Sequence, residues 1–249
     1  MKPSARNLRS SAAESSIADI RAVALDAYGT LINFTEPDFI ATLAEICDKQ
    51  GLQADAADLW RRFLRAAYLL RAENHHQPVF KKYDKAWVDQ FRRAFHRLRL
   101  PGDPWAAAEY LKEKLASAPA FEEAYPVVEA LRPYYRLALL SNADDDFLSA
   151  CLDRNGLEFD TVVTSEQARA MKPDPSIFHH LTRRLNLPPE QILYAGDNPV
   201  PDVLGARQVG MKVAWVNRAG ARRPRRVPPP DFRLRSISEL LPILVPRRD

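Results

Sequence analysis

Three aspartates and one lysine stand where predicted strands end or a helix begins. Asp26 follows the apolar run "AVAL", Asp197 and Asp202 lie in "GDNPVPD" after the run "ILYA", and Lys172 precedes a helical pattern in "AMKPDP". A carboxylate can act as a nucleophile, and a lysine can neutralise the negative charge that spreads over a phosphoryl group in transfer. The four residues therefore predict a site that acts on a small anionic substrate.

Hydroxyl and amide side chains stand beside these charged residues. Tyr28 and Thr30 follow Asp26 within "DAYGTL", and Ser141 and Asn142 end the apolar run "LALLSN". Such groups can donate hydrogen bonds to an anion. We therefore place them in the same candidate site.

The balance of charge at this site favours a divalent cation. Asp26, Asp197 and Asp202 carry three negative charges against one positive charge on Lys172, so one Mg²⁺ would bring the sum to zero. Oxygen ligands without histidine or cysteine suit magnesium better than zinc. Any single aspartate could instead cap a helix or lie on the surface. Only their joint occurrence predicts a metal site.

The elements around these residues alternate between strand and helix. Strands are predicted over "RAVALDAYG", "YRLALLSN", "FDTVVTSE", "QILYAGD", "KVAWVN" and, as a short last strand, "DFRLRS". Helical patterns separate the later strands, and this alternation predicts a parallel sheet covered on both faces. Ligands gather at the carboxyl ends of parallel strands, so the candidate residues are expected at one edge of the sheet.

Four helical patterns interrupt this alternation between the first and second strands. Apolar residues recur at helical spacing over residues 37–115. The sequence thus predicts an α/β fold, a doubly wound parallel, Rossmann-like sheet with an inserted α-helical cap domain. The predicted boundaries are a disordered N-terminal tail at 1–20, a core domain at 21–34 and 117–246, and a cap domain at 35–116.

The ordered motifs "DAYGTL", "LLSN", "KP" and "GDNPVPD" resemble those of the haloacid dehalogenase superfamily of hydrolases. The resemblance covers residues 21–244, a range that includes all of the predicted strands. It implies that Asp26 is a nucleophile that forms a covalent intermediate, with Thr30 and Tyr28 in the same catalytic loop. It also implies that Ser141 binds the transferring group and that Lys172 neutralises charge on nucleophile and substrate.

The same resemblance implies a magnesium site. Asp197 would ligate Mg²⁺ together with the Asp26 carboxylate and the backbone carbonyl of Tyr28, and Asp202 would support the site. The helical insertion would then be the cap that selects the substrate.

Tyr28 stands where phosphatases of this superfamily usually carry a second aspartate that protonates the leaving group. Such an acid raises the reaction rate on the order of a hundredfold or more. Tyrosine, with a reference pKa of about 10, is a poor base at neutral pH. A tyrosine at this position is similar to the 2-haloacid dehalogenase branch, in which a halide leaves without a proton. Asn142 also fits that branch, where the corresponding amide helps to hold the halide.

Three features of the sequence differ from the dehalogenase branch, whose members resemble metal-free enzymes. The last motif, "GDNPVPD", has the spacing of magnesium-dependent members. Phe178 stands where the branch has a tyrosine, and no arginine occurs between Arg21 and Arg61 to receive the substrate. We therefore expect a Mg²⁺-dependent phosphatase for a small phosphomonoester that works through an aspartyl phosphate and turns over slowly. The alternatives are a 2-haloacid dehalogenase that forms an aspartyl ester, and a weakly active or non-catalytic small-molecule binder.

Composition limits the choice of partners. The 249 residues carry a formal net charge of +4, with the positive excess mostly at 2–9 and at the proline-rich loop 222–231. Such runs are usually solvated, and no nucleic-acid-binding signature accompanies them. No apolar stretch approaches the roughly 18–20 residues of a membrane helix. Two distant cysteines indicate neither a disulfide framework nor a zinc site. We expect a cytoplasmic monomer or homodimer without nucleic-acid or membrane partners.

Overall fold

Six short apolar segments form one parallel sheet. The computed structural model describes residues 17–73 and 80–246, with only the backbone at 71–73. The strands are β1 (Ala22–Leu25), β2 (Arg136–Ser141), β3 (Thr161–Thr164), β4 (Ile192–Gly196), β5 (Lys212–Val216) and β6 (Phe232–Leu234). Their order is β3-β2-β1-β4-β5-β6, and every pair is parallel. The predicted doubly wound α/β fold is confirmed.

The order of the strands reverses at β1, which pairs with β2 on one side and with β4 on the other. In this register Leu25 lies opposite Leu139 and Ala195, and the amide of Asp26 donates to the Ala195 carbonyl at 2.9 Å. The reversal opens a crevice outside the carboxyl ends of the strands, which is where ligands bind in open α/β sheets. Asp26 is therefore placed at the mouth of that crevice.

Four long helices follow β1 before the chain returns to the sheet. They are α1 (Glu36–Gln50), α2 (Ala56–Glu73), α3 (Tyr83–Leu98) and α4 (Pro104–Ala116). Helix α1 begins at a capping box in which the Thr35 amide donates to the Asp38 carboxylate at 2.7 Å. It ends at Gly51, whose φ of 65° suits a left-handed helix terminus.

The remaining helices cover the sheet between and after its later strands. They are α5 (Ala124–Leu131), α6 (Asp145–Arg154), α7 (Ser165–Ala168), α8 (Pro175–Leu185), a π-helical turn (Pro199–Leu204), α9 (Gly205–Gln208) and α10 (Leu241–Leu244). Two short 3-10 turns, Pro189–Gln191 and Ile237–Leu240, complete these connections. The segment "PDVLGARQVG" between β4 and β5 is not one regular helix, because the π-helical turn forms its first half.

Buried side chains form a cluster on each face of the sheet. One cluster contains Phe178, Tyr194 and Trp215, and the other runs from the strands into the helical insertion, with Phe91 among its members. Because this second cluster is continuous, the sheet and the insertion pack on each other through apolar contacts. The division into a core and a cap domain at the predicted boundaries stays a prediction.

The predicted disordered tail at 1–20 extends too far at its C-terminal end. Ile17 begins a turn in which its carbonyl accepts from the Ile20 amide at 3.0 Å, and Ile20 is buried in the core. Burial of an apolar side chain holds this stretch on the sheet. Residues 1–16 of the predicted tail lie outside the described residues. Among the described helices, none has both the length and the apolar character needed to cross a membrane.

Candidate active site

Three carboxylates meet at the point where the strand order reverses. Asp26 follows β1, Asp197 follows β4, and Asp202 lies in the π-helical turn behind β4. One carboxylate oxygen from each lies within 4.8 Å of the other two. The predicted convergence of these side chains at one edge of the sheet is therefore observed in the geometry.

Two glycines allow the segments that carry these aspartates to lie close together. A Cβ atom at Gly29, where φ is 86°, would lie 2.6 Å from Oδ2 of Asp197, and one at Gly196 would lie 2.4 Å from Cγ of Asp202. Both distances are far below van der Waals contact. The glycines of "DAYGTL" and "YAGD" therefore belong to the construction of the site.

Lys172 lies beneath the carboxylates as their buried counter-charge. Its Nζ atom lies 2.5 Å from Oδ1 of Asp26 and 2.7 Å from Oδ1 of Asp202. It also lies 2.9 Å from the Tyr194 hydroxyl and 3.2 Å from the Leu140 carbonyl. Burial alone would lower the pKa of Lys172, but the two carboxylates outweigh it and raise that pKa above its usual value. Lys172 is thus held as a cation.

Sequence reasoning missed Tyr194 as part of this network. Its hydroxyl donates to Oδ1 of Asp202 at 3.0 Å and accepts from Lys172. A tyrosine in the middle of the otherwise apolar strand "ILYAG" is the one signal that could have indicated it, because a fully buried hydroxyl requires hydrogen-bond partners.

The site raises the pKa values of Asp26 and Asp197 by different amounts. Burial is the main cause that raises the pKa of Asp26, which reaches only about 6 because Lys172 opposes the rise. The pKa of Asp197 rises to about 8 through burial and the nearby charges of Asp26 and Asp202. At neutral pH Asp26 is therefore mostly ionised and available as a nucleophile. Asp197 needs a further positive charge before it ionises fully.

This donor set fits a hard divalent cation. The oxygens that converge belong to Asp26, Asp197 and Asp202, and oxygen ligands without nitrogen or sulfur suit Mg²⁺. Lys172 pairs with Asp26 and Asp202 but not with Asp197, whose pKa is raised by burial and by repulsion from the other two carboxylates. A bound cation would remove that repulsion. Thr30 lies between two of them, with its Oγ1 atom 3.3 Å from Oδ2 of Asp26 and 3.5 Å from Oδ1 of Asp197.

Tyr28 turns its hydroxyl away from the carboxylates. The hydroxyl donates to the Leu115 carbonyl at 3.2 Å, and the ring packs against Phe34 and Phe147 at centroid distances of 6.5 and 6.1 Å. Burial raises the pKa of this phenol well above its usual value. The hydroxyl thus lies at the end of α4, and the catalytic role of the Tyr28 side chain stays a prediction. Its backbone carbonyl stays a predicted metal ligand.

The side chain of Asn142 bonds to the backbone of Lys172, and its role in substrate binding stays a prediction. Its Oδ1 atom accepts from the Lys172 amide at 2.7 Å, and its Nδ2 atom donates to the Lys172 carbonyl at 3.2 Å. The amide thus fixes the backbone that carries the catalytic lysine candidate. Ser141, the preceding residue, ends β2 at the same edge and is buried. Its role in binding the transferring group stays a prediction.

Asp144 connects the sheet to the helical insertion. Its carboxylate accepts from the backbone amides of Tyr83 at 2.9 Å and Asp84 at 3.0 Å, which are the first residues of α3. Asp144 also begins the acidic run "DDD" at the start of α6. The contact joins residues about sixty positions apart, so no local pattern could have predicted it. A second link lies nearby, where Lys82 pairs with Glu166 at 2.7 Å.

The Rossmann-like parallel sheet and the acidic cluster at its edge together indicate a hydrolase. The family described as "haloacid dehalogenase-like hydrolase" matches residues 20–210. The chain belongs to this family, as its four motifs predicted.

Relatives with two kinds of activity in their names match this chain. Haloacetate dehalogenase H-2 of Moraxella sp. (strain B) is 30% identical over 206 residues, which covers 81% of this chain and 87% of that protein. Phosphoserine phosphatase of Thermus thermophilus is 33% identical over 165 residues, or 62% of this chain and 66% of that protein. A solved L-2-haloacid dehalogenase superposes with a TM-score of 0.77 at 27% identity, covering 90% of this chain and 98% of that one. The reaction must therefore be argued from the site.

Proposed function

We propose that the protein is a Mg²⁺-dependent phosphatase that acts on small phosphomonoesters through an aspartyl phosphate at Asp26. The observation that supports this proposal is the cluster of Asp26, Asp197 and Asp202 around a single buried lysine. A reaction without a metal leaves the excess negative charge of this cluster unexplained. A dianionic phosphate ester would also be repelled by it.

Asp26, Asp197 and Asp202, with the Tyr28 carbonyl, would hold the ion. When bound, Mg²⁺ supplies positive charge that lets an anionic nucleophile approach an anionic ester. The residues of the chain do the remaining work. Lys172 fixes Oδ1 of Asp26 at 2.5 Å and keeps the carboxylate ionised, while Ser141 and Lys172 bind the phosphoryl oxygens.

The proposed reaction has two steps. Asp26 attacks phosphorus, the bond from phosphorus to the ester oxygen breaks, and the leaving alkoxide takes its proton from solvent. Water then attacks phosphorus, which releases phosphate and restores the Asp26 carboxylate. The Tyr28 hydroxyl is bound to the Leu115 carbonyl and serves neither step as acid or base. We therefore expect slow turnover that favours esters with acidic leaving groups.

A second candidate function is 2-haloacid dehalogenation. Two observations favour it, namely the absence of an acid at position 28 and the dehalogenase names of several relatives. In this reaction Asp26 displaces the halide from carbon and water hydrolyses the resulting ester. A halide needs no proton to leave, so a tyrosine at position 28 does not slow this reaction. A third possibility, a weakly active or non-catalytic binder of small molecules, predicts neither product.

The decisive experiment measures both products from one preparation. The purified protein is incubated with p-nitrophenyl phosphate, an alkyl phosphate or 2-chloropropionate, each with Mg²⁺ or with EDTA. We expect phosphate release that EDTA abolishes and that is faster from the nitrophenyl ester. Chloride release that persists in EDTA would instead establish the dehalogenase. The matched control, Asp26→Asn, should abolish either reaction, and turnover by that variant would exclude Asp26 as the nucleophile.

A further inference from the structure

An arginine at the end of β5 reaches back to the loop that carries the proposed nucleophile. Arg218 follows β5, and its Nη2 atom donates to the carbonyl of Thr30 at 2.9 Å. Thr30 lies four residues after Asp26, and 188 positions separate it from Arg218. The contact therefore connects the loop after β1 to the far side of the strand reversal.

Two further groups fix the guanidinium of Arg218. Its Nη1 atom lies 2.6 Å from Oε1 of Glu123, and its Cζ atom lies 3.6 Å from the centre of the Phe121 ring. Glu123 is itself held, because the Ser236 hydroxyl donates to the same Oε1 atom at 2.9 Å. The planar fork of a guanidinium can bind a carboxylate and a carbonyl at once while it stacks on an aromatic ring. These contacts let Arg218 hold the Thr30 carbonyl in one place.

The segment at Phe121 supports the same loop through its backbone. The Phe121 amide donates to the Leu31 carbonyl at 2.8 Å. Arg218 and Phe121 thus bind consecutive carbonyls of the loop. Within the loop, the amides of Thr30 and Leu31 donate to the Ala27 carbonyl at 3.2 and 2.8 Å. The loop is therefore held both from within and from outside.

The position of Thr30 matters because its side chain lies between two carboxylates. Its Oγ1 atom lies 3.3 Å from Oδ2 of Asp26 and 3.5 Å from Oδ1 of Asp197. Trp215, on β5, supports the second of these aspartates, because its Nε1 atom donates to the Asp197 carbonyl at 2.8 Å. The end of β5 thus supports both segments whose carboxylates meet beside Thr30.

We propose that Arg218 is a positioning residue, which holds Thr30 and through it the Asp26 and Asp197 carboxylates in the geometry that the reaction needs. This role rests on the proposed function, in which Asp26 is the nucleophile. A misplacement of about 1 Å can slow an enzyme on the order of a hundredfold. A residue that never touches the substrate can therefore control kcat.

The test compares Arg218→Gln with a matched substitution, Arg207→Gln. Arg207 lies on α9, donates to the Pro229 carbonyl at 3.0 Å and lies 3.0 Å from Oδ2 of Asp231. Its side chain is 28% exposed against 24% for Arg218. Both substitutions remove one charge, one bond to a carbonyl and one ion pair, but the partners of Arg207 lie outside the candidate site. Arg218→Lys, which keeps the charge without the planar fork, is the conservative variant.

Initial rates with p-nitrophenyl phosphate and Mg²⁺, or with 2-chloropropionate if chloride is the product, give kcat and KM. We expect Arg218→Gln to lower kcat about tenfold or more and to leave KM within about twofold. KM should change little because Ser141 and Lys172, the proposed ligands of the phosphoryl group, belong to other segments. Arg218→Lys should recover part of the lost kcat, and Arg207→Gln should keep kcat within about twofold.

Two measurements on the same proteins do not depend on turnover. Urea denaturation verifies that each variant folds and that Arg218→Gln and Arg207→Gln lose comparable stability. Hydrogen exchange at the amides of Thr30 and Leu31 should become faster in the Arg218 variants and stay unchanged in Arg207→Gln. If Arg218→Gln does not fold, Arg218→Lys is compared with Arg207→Lys in its place.

The outcomes separate this role from the proposed function. An unchanged kcat in Arg218→Gln, an equal fall in both variants, or a rise in KM alone would overturn the positioning role and leave the proposed function intact. If the unaltered protein releases neither phosphate nor chloride, the proposed function fails and the role of Arg218 in the reaction fails with it.

Discussion

At the scale of single residues, the candidate site is defined by an excess of buried negative charge. Lys172 satisfies Asp26 and Asp202 directly, but the pKa of Asp197, raised by burial and by both neighbouring carboxylates, shows that a third carboxylate is not satisfied. Ionising Asp197 therefore destabilises the metal-free fold. The consequence is measurable in stability as well as in activity.

The substitution Asp197→Asn should stabilise the metal-free protein and remove its response to magnesium. The amide keeps the shape of the side chain without its charge, so we expect a gain of roughly 1–2 kcal/mol, or about 2–8 °C in melting temperature. Thermal unfolding in EDTA at pH 8 measures the gain. Addition of MgCl₂ should raise the melting temperature of the unaltered protein and leave that of the variant unchanged. An equal response of both proteins to MgCl₂ would place the ion elsewhere.

The effect of pH on the metal-free protein follows from the same groups. The pKa values of Asp26 and Asp197 are raised from 3.8 to about 6 and about 8, so both carboxyls hold protons more tightly in the folded state. Their contribution to the free energy of unfolding is therefore largest at low pH and is lost as pH rises from about 4 to about 8. Urea denaturation in EDTA should show stability falling across this window, and Mg²⁺ should restore more at pH 8 than at pH 5. In the Asp197→Asn variant the fall should end at about pH 6, because only the Asp26 carboxyl of this pair still titrates.

A substitution at Tyr28 tests whether its hydroxyl takes part in the reaction or only stabilises the fold. Tyr28→Phe keeps the ring between Phe34 and Phe147 and deletes only the hydroxyl bonded to Leu115. We expect a loss of about 1 kcal/mol in stability and a kcat within about twofold of the unaltered protein. Steady-state kinetics together with urea denaturation measure both. A fall in kcat of tenfold or more in a folded variant would mean that the hydroxyl takes part in the reaction.

At the scale of elements, contacts that are distant in sequence hold the insertion against the sheet. Asp144 caps the start of α3 from the loop after β2, and Lys82 pairs with Glu166 nearby. A carboxylate at a helix N-terminus satisfies free amides and interacts favourably with the helix dipole. The entrance of α3 is therefore fixed by the core.

Removal of this cap should loosen α3. Asp144→Ala removes the acceptor of two amides at the half-buried start of α3, and we expect a loss of about 1–3 kcal/mol with faster hydrogen exchange at Tyr83 and Asp84. Asp153→Ala, an exposed position on α6, is the matched control and should change neither quantity. Equal exchange at α3 in both variants would contradict the anchoring role of Asp144.

The sequence predicted the elements better than the directions of their side chains. Strands such as β4 and the helices of the insertion were predictable because apolar periodicity is local. The hydroxyl of Tyr28 and the amide of Asn142 were not, because their partners, Leu115 and Lys172, lie 87 and 30 positions away. The sequence therefore predicted which residues meet at the crevice, and only the packed structure shows which of them face one another.

At the scale of the whole molecule, the sheet and the insertion share one apolar cluster. Aromatic rings continue from Phe34 through Phe39 and Trp60 to Phe63, which links the loop after β1 to α2. Such contacts couple the stability of both parts. The insertion is thus not expected to unfold alone.

We predict a single cooperative unfolding transition for the predicted core and cap. Urea curves followed by far-ultraviolet circular dichroism and by tryptophan fluorescence should coincide, because Trp60 and Trp87 report on the insertion and Trp215 on the sheet. Hydrogen exchange in α3 and β4 should show the same limiting free energy. Two separated transitions would instead establish independently folding domains.

The reversal of strand order at β1 also affects how the protein is made. Asp26, the proposed nucleophile, arrives with the first strand, whereas Lys172 and the other acidic groups arrive more than a hundred residues later. A nascent chain that has not yet added β4 therefore carries an incomplete and inactive centre. Catalytic competence during synthesis would appear only with the last strands of the sheet, which makes activity a sensitive reporter of completed folding.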